Sequence, residues 1–184
     1  MKFKIAALIL ISVSVGLFSA EFSVEKAKRV DDFLRRIREK DRKTVFLKKM
    51  TFTQRELNSY INIFYLKRYS PEVKYLKLNF RKNNYVTGVM KVKLTGKKYE
   101  SVPSFLRDIE LEFSGKLECK NYRVRYIFNK MEINGTLFAP EILDEAFHAA
   151  QSNIDLKKSI FDWFSLLPGL KNVIIDYKKI TIYY

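Results

Sequence analysis

The chain has 184 residues, 47% of them hydrophobic and 15% aromatic, with 35 Lys+Arg against 20 Asp+Glu and a formal charge of +15. That length suits one domain with a sizeable core, and the apolar content excludes a disordered chain. Six Gly and four Pro exclude a linker or low-complexity protein, and a single cysteine, Cys119, excludes an intramolecular disulfide.

The first four residues, "MKFK", are basic, and residues 5–20 are uncharged around the apolar run "IAALILISVSVGLF". This run is shorter than the ~20 residues that a spanning helix needs. Length and flanks predict a secretory signal peptide over residues 1–20, cleaved near Ala20, with an uncleaved anchor as the other reading. The expected product, residues 21–184, is a single domain in the periplasm or secreted. Outside the cytosol, a strongly basic chain points to anionic lipid headgroups, lipopolysaccharide or acidic glycans rather than nucleic acid.

Residues 23–41 read as an amphipathic helix, within an N-terminal basic segment at 21–43. Ala27, Val30, Phe33, Leu34 and Ile37 form its apolar stripe, opposite Lys28, Arg29, Arg35, Arg36 and Lys40. A short extended piece, "TVFLKKM", leads to a second helix over residues 52–66. There Thr53 and Glu56 have capping-box spacing. At about 100° per residue, Leu57, Tyr60, Ile61, Phe64 and Tyr65 fill one broad face. Asn58, Ser59 and Asn62 are the narrow polar remainder. One contact would not bury so much apolar surface.

Four strands follow. "KYLKLNF" alternates Leu76, Leu78 and Phe80, and "NNYVTGVMKVKL" alternates Val86, Gly88, Met90 and Val92, with Asn83-Asn84 as the hairpin turn. "IELEFSGKLEC" puts Ile109, Leu111, Phe113, Gly115, Leu117 and Cys119 on one parity and its charges on the other. The parity predicts a buried Cys119. "YRVRYIFNKMEI" carries Tyr122, Val124, Tyr126 and Phe128 on one side. Residues 67–98 hold ten basic residues against one acid, Glu72, so Lys77, Arg81, Lys91 and Lys93 are expected to form a basic sheet face.

"FAPEILDEAFHAAQ" then reads as a helix with Pro140 in its first turn and Phe147 on its apolar face. "LKKSIFDWFSLLPGL" is short and aromatic, with Ile160, Trp163, Phe164 and Leu167 able to share a face. "NVIIDY" and "KITIYY" make a closing hairpin. The fold class these elements predict is α+β: a long, strongly curved antiparallel meander wrapped around one or two helices, in a single domain.

No reactive constellation emerges. His148 is the sole histidine and falls with Asp144, Glu145 and Gln151 on a polar helix face. One His and one Cys far apart make no metal site. No G-x-S-x-G surrounds a serine, and no Gly-rich phosphate loop is present. Asp31-Asp32 and Asp144-Glu145 lie on predicted solvent faces, unlike glycosidase acid pairs. The expectation is a non-enzymatic protein without cofactor or metal.

The order of pieces resembles a known family. Thr53, Glu56, Leu57 and Asn58 match a Thr-x-x-Glu-Leu-Asn helix start. Asn134-Gly135, Pro140 and Leu167-Pro168-Gly169 match a later turn, a Pro-led helix and a Leu-Pro-Gly turn before a closing hairpin. Over residues 44–184 this is similar to bacterial exported proteins related to the tubular lipid-binding (TULIP-like) superfamily. The resemblance implies a bent sheet around a long helix enclosing an apolar groove, with no catalytic residues.

Two functions are consistent with these observations. In the first, Leu57, Tyr60, Ile61, Phe64, Tyr65, Phe147, Trp163 and Phe164 line a groove for a lipid or other acyl-chain ligand carried in the cell envelope. The basic face would then meet anionic headgroups. In the second, the same elements close on a dry core, and the basic face of a cystatin-like envelope module docks an acidic protein or glycan.

Overall fold

The structure, a computed structural model, describes residues 22–39, 47–96, 100, 107–142, 144, 159 and 161–184. The expected signal peptide, Phe147, His148 and most of the helix expected over residues 138–151 lie outside the described residues. Residues 140–142 and 144 of that helix are described and helical.

Helix α1 (Val24–Glu39) buries Ala27, Val30, Phe33 and Ile37 of the stripe expected from its spacing, with Leu34 half-buried. Strand β1 (Lys49–Thr53) leads into helix α2 (Gln54–Tyr60), which continues through a π-helical turn (Ile61–Tyr65) into α3 (Leu66–Tyr69). Thr53 caps α2 with the reciprocal capping box that its spacing with Glu56 predicts.

Strands β2 (Val73–Phe80), β3 (Tyr85–Lys93), β4 (Asp108–Lys120), β5 (Arg123–Ile133) and β6 (Thr136–Phe138) are neighbours in that order. Strand β7 (Phe164–Ser165) adds to β5, making an antiparallel sheet of six strands. The β2–β3 turn is at Asn83-Asn84 as expected, both residues with φ near +60° (60° and 59°). The closing hairpin, β8 (Asn172–Asp176) and β9 (Lys179–Tyr183), joins β1 in a separate three-stranded sheet ordered β1-β9-β8. The fold is thus α+β and antiparallel as the patterning predicts, in two sheets rather than one meander.

Asn84 fastens the two sheets. Its carbonyl accepts from Leu117 N (2.8 Å), and its N–H donates to the Ile175 carbonyl (3.1 Å). Its side-chain oxygen accepts from Ile175 N (2.6 Å). The main core lies where α1, the three-stranded sheet and the near ends of β2 and β3 meet. Val30, Phe33, Ile37, Phe52, Phe80, Val86, Val173, Ile175, Ile180 and Ile182 fill it. The Phe33 ring meets Phe52 and Tyr184 edge-on at 5.2 and 5.1 Å. Each such side chain contributes about 1.5–3 kcal/mol by leaving water.

Two expectations are corrected. The aromatic segment, with Ile160, Trp163, Phe164 and Leu167 expected to share a face, is a turn at 161–162 and then the short strand Phe164–Ser165, which pairs with Arg123-Val124 before Pro168-Gly169, Gly169 at φ 93°. Cys119 is half-buried rather than buried. Its cross-strand partner is Val124, and β4 there extends past the end of β3, so among the described residues no strand pairs with Cys119 on its other side.

Candidate functional site

Register places the apolar parity of four long strands on one face. Leu76, Leu78 and Phe80 stand opposite Met90, Gly88 and Val86, and these in turn face Leu111, Phe113 and Gly115. On β5 the parity changes midway. Phe128 pairs with Gly115 and Met131 with Phe113, so a bulge at Asn129-Lys130 brings Met131 and Ile133 onto the face already occupied by Tyr126 and Phe128.

The near end of this face is sealed. Leu78, Leu117 and Tyr126 pack against the main core, and the Tyr126 hydroxyl donates to the Val86 carbonyl at 2.7 Å. Burial, with Tyr85 nearby, raises the Tyr126 phenol far above its ordinary pKa, so the group stays a neutral donor. Further along, Leu111 and Met131 are buried, but Leu76, Met90, Val92, Ile109, Phe113, Phe128 and Ile133 are each only half-buried. Aromatic rings continue the row: Tyr126–Phe128 at 4.7 Å, Phe113–Tyr126 at 5.8 Å and Phe128–Phe161 at 6.2 Å. The Phe113 ring lies over Gly88, where a Cβ would approach it to 2.2 Å.

Of the residues singled out from sequence, Leu57 and Tyr60 pack against the main core. Ile61 and Phe64 are half-buried on the same helix, Phe64 beside Tyr60 at 6.4 Å. Tyr65 is 47% exposed, its ring tilted against that of Tyr69 at 5.1 Å. Trp163 stands apart from the apolar face of the sheet. Its ring lies 4.7 Å from the Arg125 guanidinium, and Arg125 belongs to the polar parity of β5. Phe164 pairs with Val124, on the apolar parity. The aromatics missed as site residues are Phe113, Tyr126 and Phe128. Their shared parity was visible in sequence, but no local signal showed that Tyr126 would pack on the main core while Phe113 and Phe128 stay half-buried further along.

The narrow polar strip of α2 is covered by protein. Asn58 and Asn62 bond the free edge of β2, and Ser59, wholly buried, accepts from Ser23 N at 3.1 Å. Glu56 is buried against Arg29 of α1. The protein thus covers α2 on two sides, and the apolar surplus lies in the π turn and on the sheet.

The opposite face of the sheet is polar. Lys77, Arg81, Lys91 and Lys93 share it, but β4 supplies acids against them. Lys91 stands opposite Glu110 and lies 3.5 Å from Asp108, and the Tyr75 hydroxyl reaches Glu110 at 3.3 Å. The basic face expected from sequence is therefore a mixed ladder, because register aligned β4 carboxylates with β3 lysines. A concavity of about 270 Å³ on this face is lined by Asn79, Thr87, Glu112, Ser114, Lys130 and Glu132 among others. Among the described residues, no group of three or more His, Cys, Asp or Glu could hold a metal.

Comparison of the chain with protein-family models, with curated proteins and with solved structures finds no match. The likeness to tubular lipid-binding proteins therefore rests on its sequence motifs alone.

Proposed function

We propose that this is a non-enzymatic, exported protein that binds a lipid or another acyl-chain ligand against the inner apolar face of the six-stranded sheet and carries it in the cell envelope. One observation carries the reading: beyond the closed core, Leu76, Met90, Val92, Ile109, Phe113, Phe128 and Ile133 remain half-buried in a continuous register. A concave apolar lining with little polar demand is what acyl chains require. Ile61 and Phe64 add apolar surface from the helix that runs along β2. The alternative, a module docking an acidic partner through Lys77, Arg81, Lys91 and Lys93, is weakened by Asp108 and Glu110 beside Lys91.

Native mass spectrometry of the protein purified from the envelope without detergent tests the reading. A co-purifying lipid-sized mass, lost on denaturation, is expected and would reveal the lipid class. An apo mass with no uptake from added phospholipid vesicles would overturn it.

A further inference from the structure

The tip of the β4–β5 hairpin combines features that are unfavourable for the isolated chain. Lys120 and Arg123 are directly opposite in the cross-strand register, and both are exposed. Like charges in that position repel. Between them, Asn121 and Tyr122 form the turn with φ of 51° and 59°. The second position of such a turn favours glycine, and a bulky ring in left-handed backbone is strained. Yet the position holds a tyrosine that is 62% exposed.

The segment after residue 160 is fastened beside this tip. Ser165 pairs with Arg123, and the Leu166 N–H donates to the Tyr122 carbonyl at 2.9 Å. This brings in Leu167, 41% exposed, and Trp163, whose ring lies 4.7 Å from the Arg125 guanidinium. Arg125 is also paired with Glu118 at 2.8 Å. With Lys116 also exposed on the same parity, cations still outnumber acids there.

An anionic interface would turn each of these features to advantage. Phosphate groups between Lys120 and Arg123 would replace their repulsion with attraction. Tyrosine and tryptophan rings are suited to headgroup depth, polar at one end and apolar at the other, and an exposed leucine gains by leaving water. An acidic protein would satisfy the cations, but cations combined with tyrosine, tryptophan and leucine at one hairpin tip are what an anionic lipid interface takes up together. We propose that the β4–β5 tip, with Trp163 and Leu167, docks on an anionic phospholipid surface. This proposal is independent of the ligand site and places membrane contact on the hairpin tip, not on the Lys77–Lys93 face.

The chain contains one tryptophan, and it stands at the tip, so its fluorescence reports on this patch alone. The full chain is mixed with phosphatidylcholine vesicles with or without phosphatidylglycerol. Binding to the phosphatidylglycerol vesicles, with Trp163 emission quenched by brominated acyl chains, is expected. Lys120→Gln with Arg123→Gln should weaken binding by about fivefold per cation removed. Tyr122→Gly should weaken it severalfold while leaving thermal stability unchanged or higher, because glycine relieves the turn. That variant separates loss of docking from loss of fold, and comparison within one chain removes any contribution of the apolar N-terminus. Unaltered binding by both variants, unquenched Trp163, or affinity for an acidic protein but not for vesicles would each overturn the proposal.

Discussion

Asn58 and Leu78 exchange two hydrogen bonds: the Asn58 side-chain amide donates to the Leu78 carbonyl at 2.8 Å and accepts from its N–H at 2.9 Å. Asn62 does the same with Leu76 (2.7 and 2.9 Å), and Gln54 accepts from Phe80 N at 2.8 Å. Side chains four apart on a helix advance about 6 Å, close to the ~6.6 Å between alternate residues of a strand. Helix α2 and the π turn that continues it therefore substitute for a neighbouring strand and close the edge of β2, which would otherwise offer a template for aggregation. A four-residue repeat drifts about 40° per step on a 3.6-residue helix, and the wider π turn starting at Ile61 reduces that drift.

Asn58→Ala should accordingly be costly. It removes both bonds and leaves a buried N–H and carbonyl on Leu78, so a loss of roughly 2–4 kcal/mol is expected. Asn58→Asp keeps acceptance from Leu78 N but sets a carboxylate against the Leu78 carbonyl, and should be no better. Urea unfolding at constant slope measures both. A cost under about 0.5 kcal/mol for either would mean that the amide ladder contributes little.

Glu56 predicts an acid-sensitive link between α1 and α2. Burial raises its pKa, but bonds from Thr53 N (2.7 Å), from Arg29 and from the Thr53 hydroxyl (2.9 Å) outweigh that and hold it below the usual value. A depressed folded-state pKa gives stability that is present above the unfolded value, about 4.3, and lost as pH falls through the folded one. Glu56→Gln should lose about 1–3 kcal/mol at pH ~7, and its stability should then fall less steeply than that of the parent below pH ~5. Parallel acid limbs in the two proteins' unfolding midpoints would contradict this assignment.

What was legible in sequence was local. The Thr53–Glu56 cap, the α1 stripe, the Asn83-Asn84 turn and the strand parities each depend on residues within a few positions of one another. What was not legible depends on partners distant in the chain. Asn58 and Asn62 read as a polar strip because nothing local announces an unpaired strand edge twenty and fourteen residues on. Lys91 read as basic surface because its acid, Asp108, arrives through register. Trp163 read as groove lining, but pairing of the next residues with β5 turns it toward Arg125. The bulge that returns Met131 and Ile133 to the apolar face shows in sequence only as a one-residue shift of the apolar positions after Phe128, a signal that the simple alternation of this strand passes over.

Two glycines on that face should respond differently to alanine. A Cβ at Gly115 would lie 2.1 Å from the Ile127 carbonyl oxygen, which is backbone and is held by the ladder next to the bulge. A Cβ at Gly88 would meet the tip of the Phe113 ring, which can rotate away. Gly115→Ala should cost about 3 kcal/mol or more and Gly88→Ala about 1–2 kcal/mol. Chemical denaturation ranks them, and the reverse order would show that the sheet yields more easily at the bulge than over the ring.

The proposed ligand site is tested by charge placed inside it. Ile109 on β4 and Phe64 on the helix are both half-buried, so a carboxylate at either can reach water when no ligand is present. A bound acyl chain would bury it without a partner, at a cost of well over the ~1.4 kcal/mol that equals a tenfold change in affinity. Ile109→Asp and Phe64→Asp should therefore each reduce uptake of a fluorescent fatty acid by more than about tenfold, with circular dichroism confirming the fold. Lys91→Glu with Lys93→Glu alters the opposite face and should leave uptake nearly unchanged, since Lys91 already faces Asp108 and Glu110. If the lysine pair abolishes uptake while the two inner carboxylates do not, the ligand sits on the polar face and the apolar row is ordinary core.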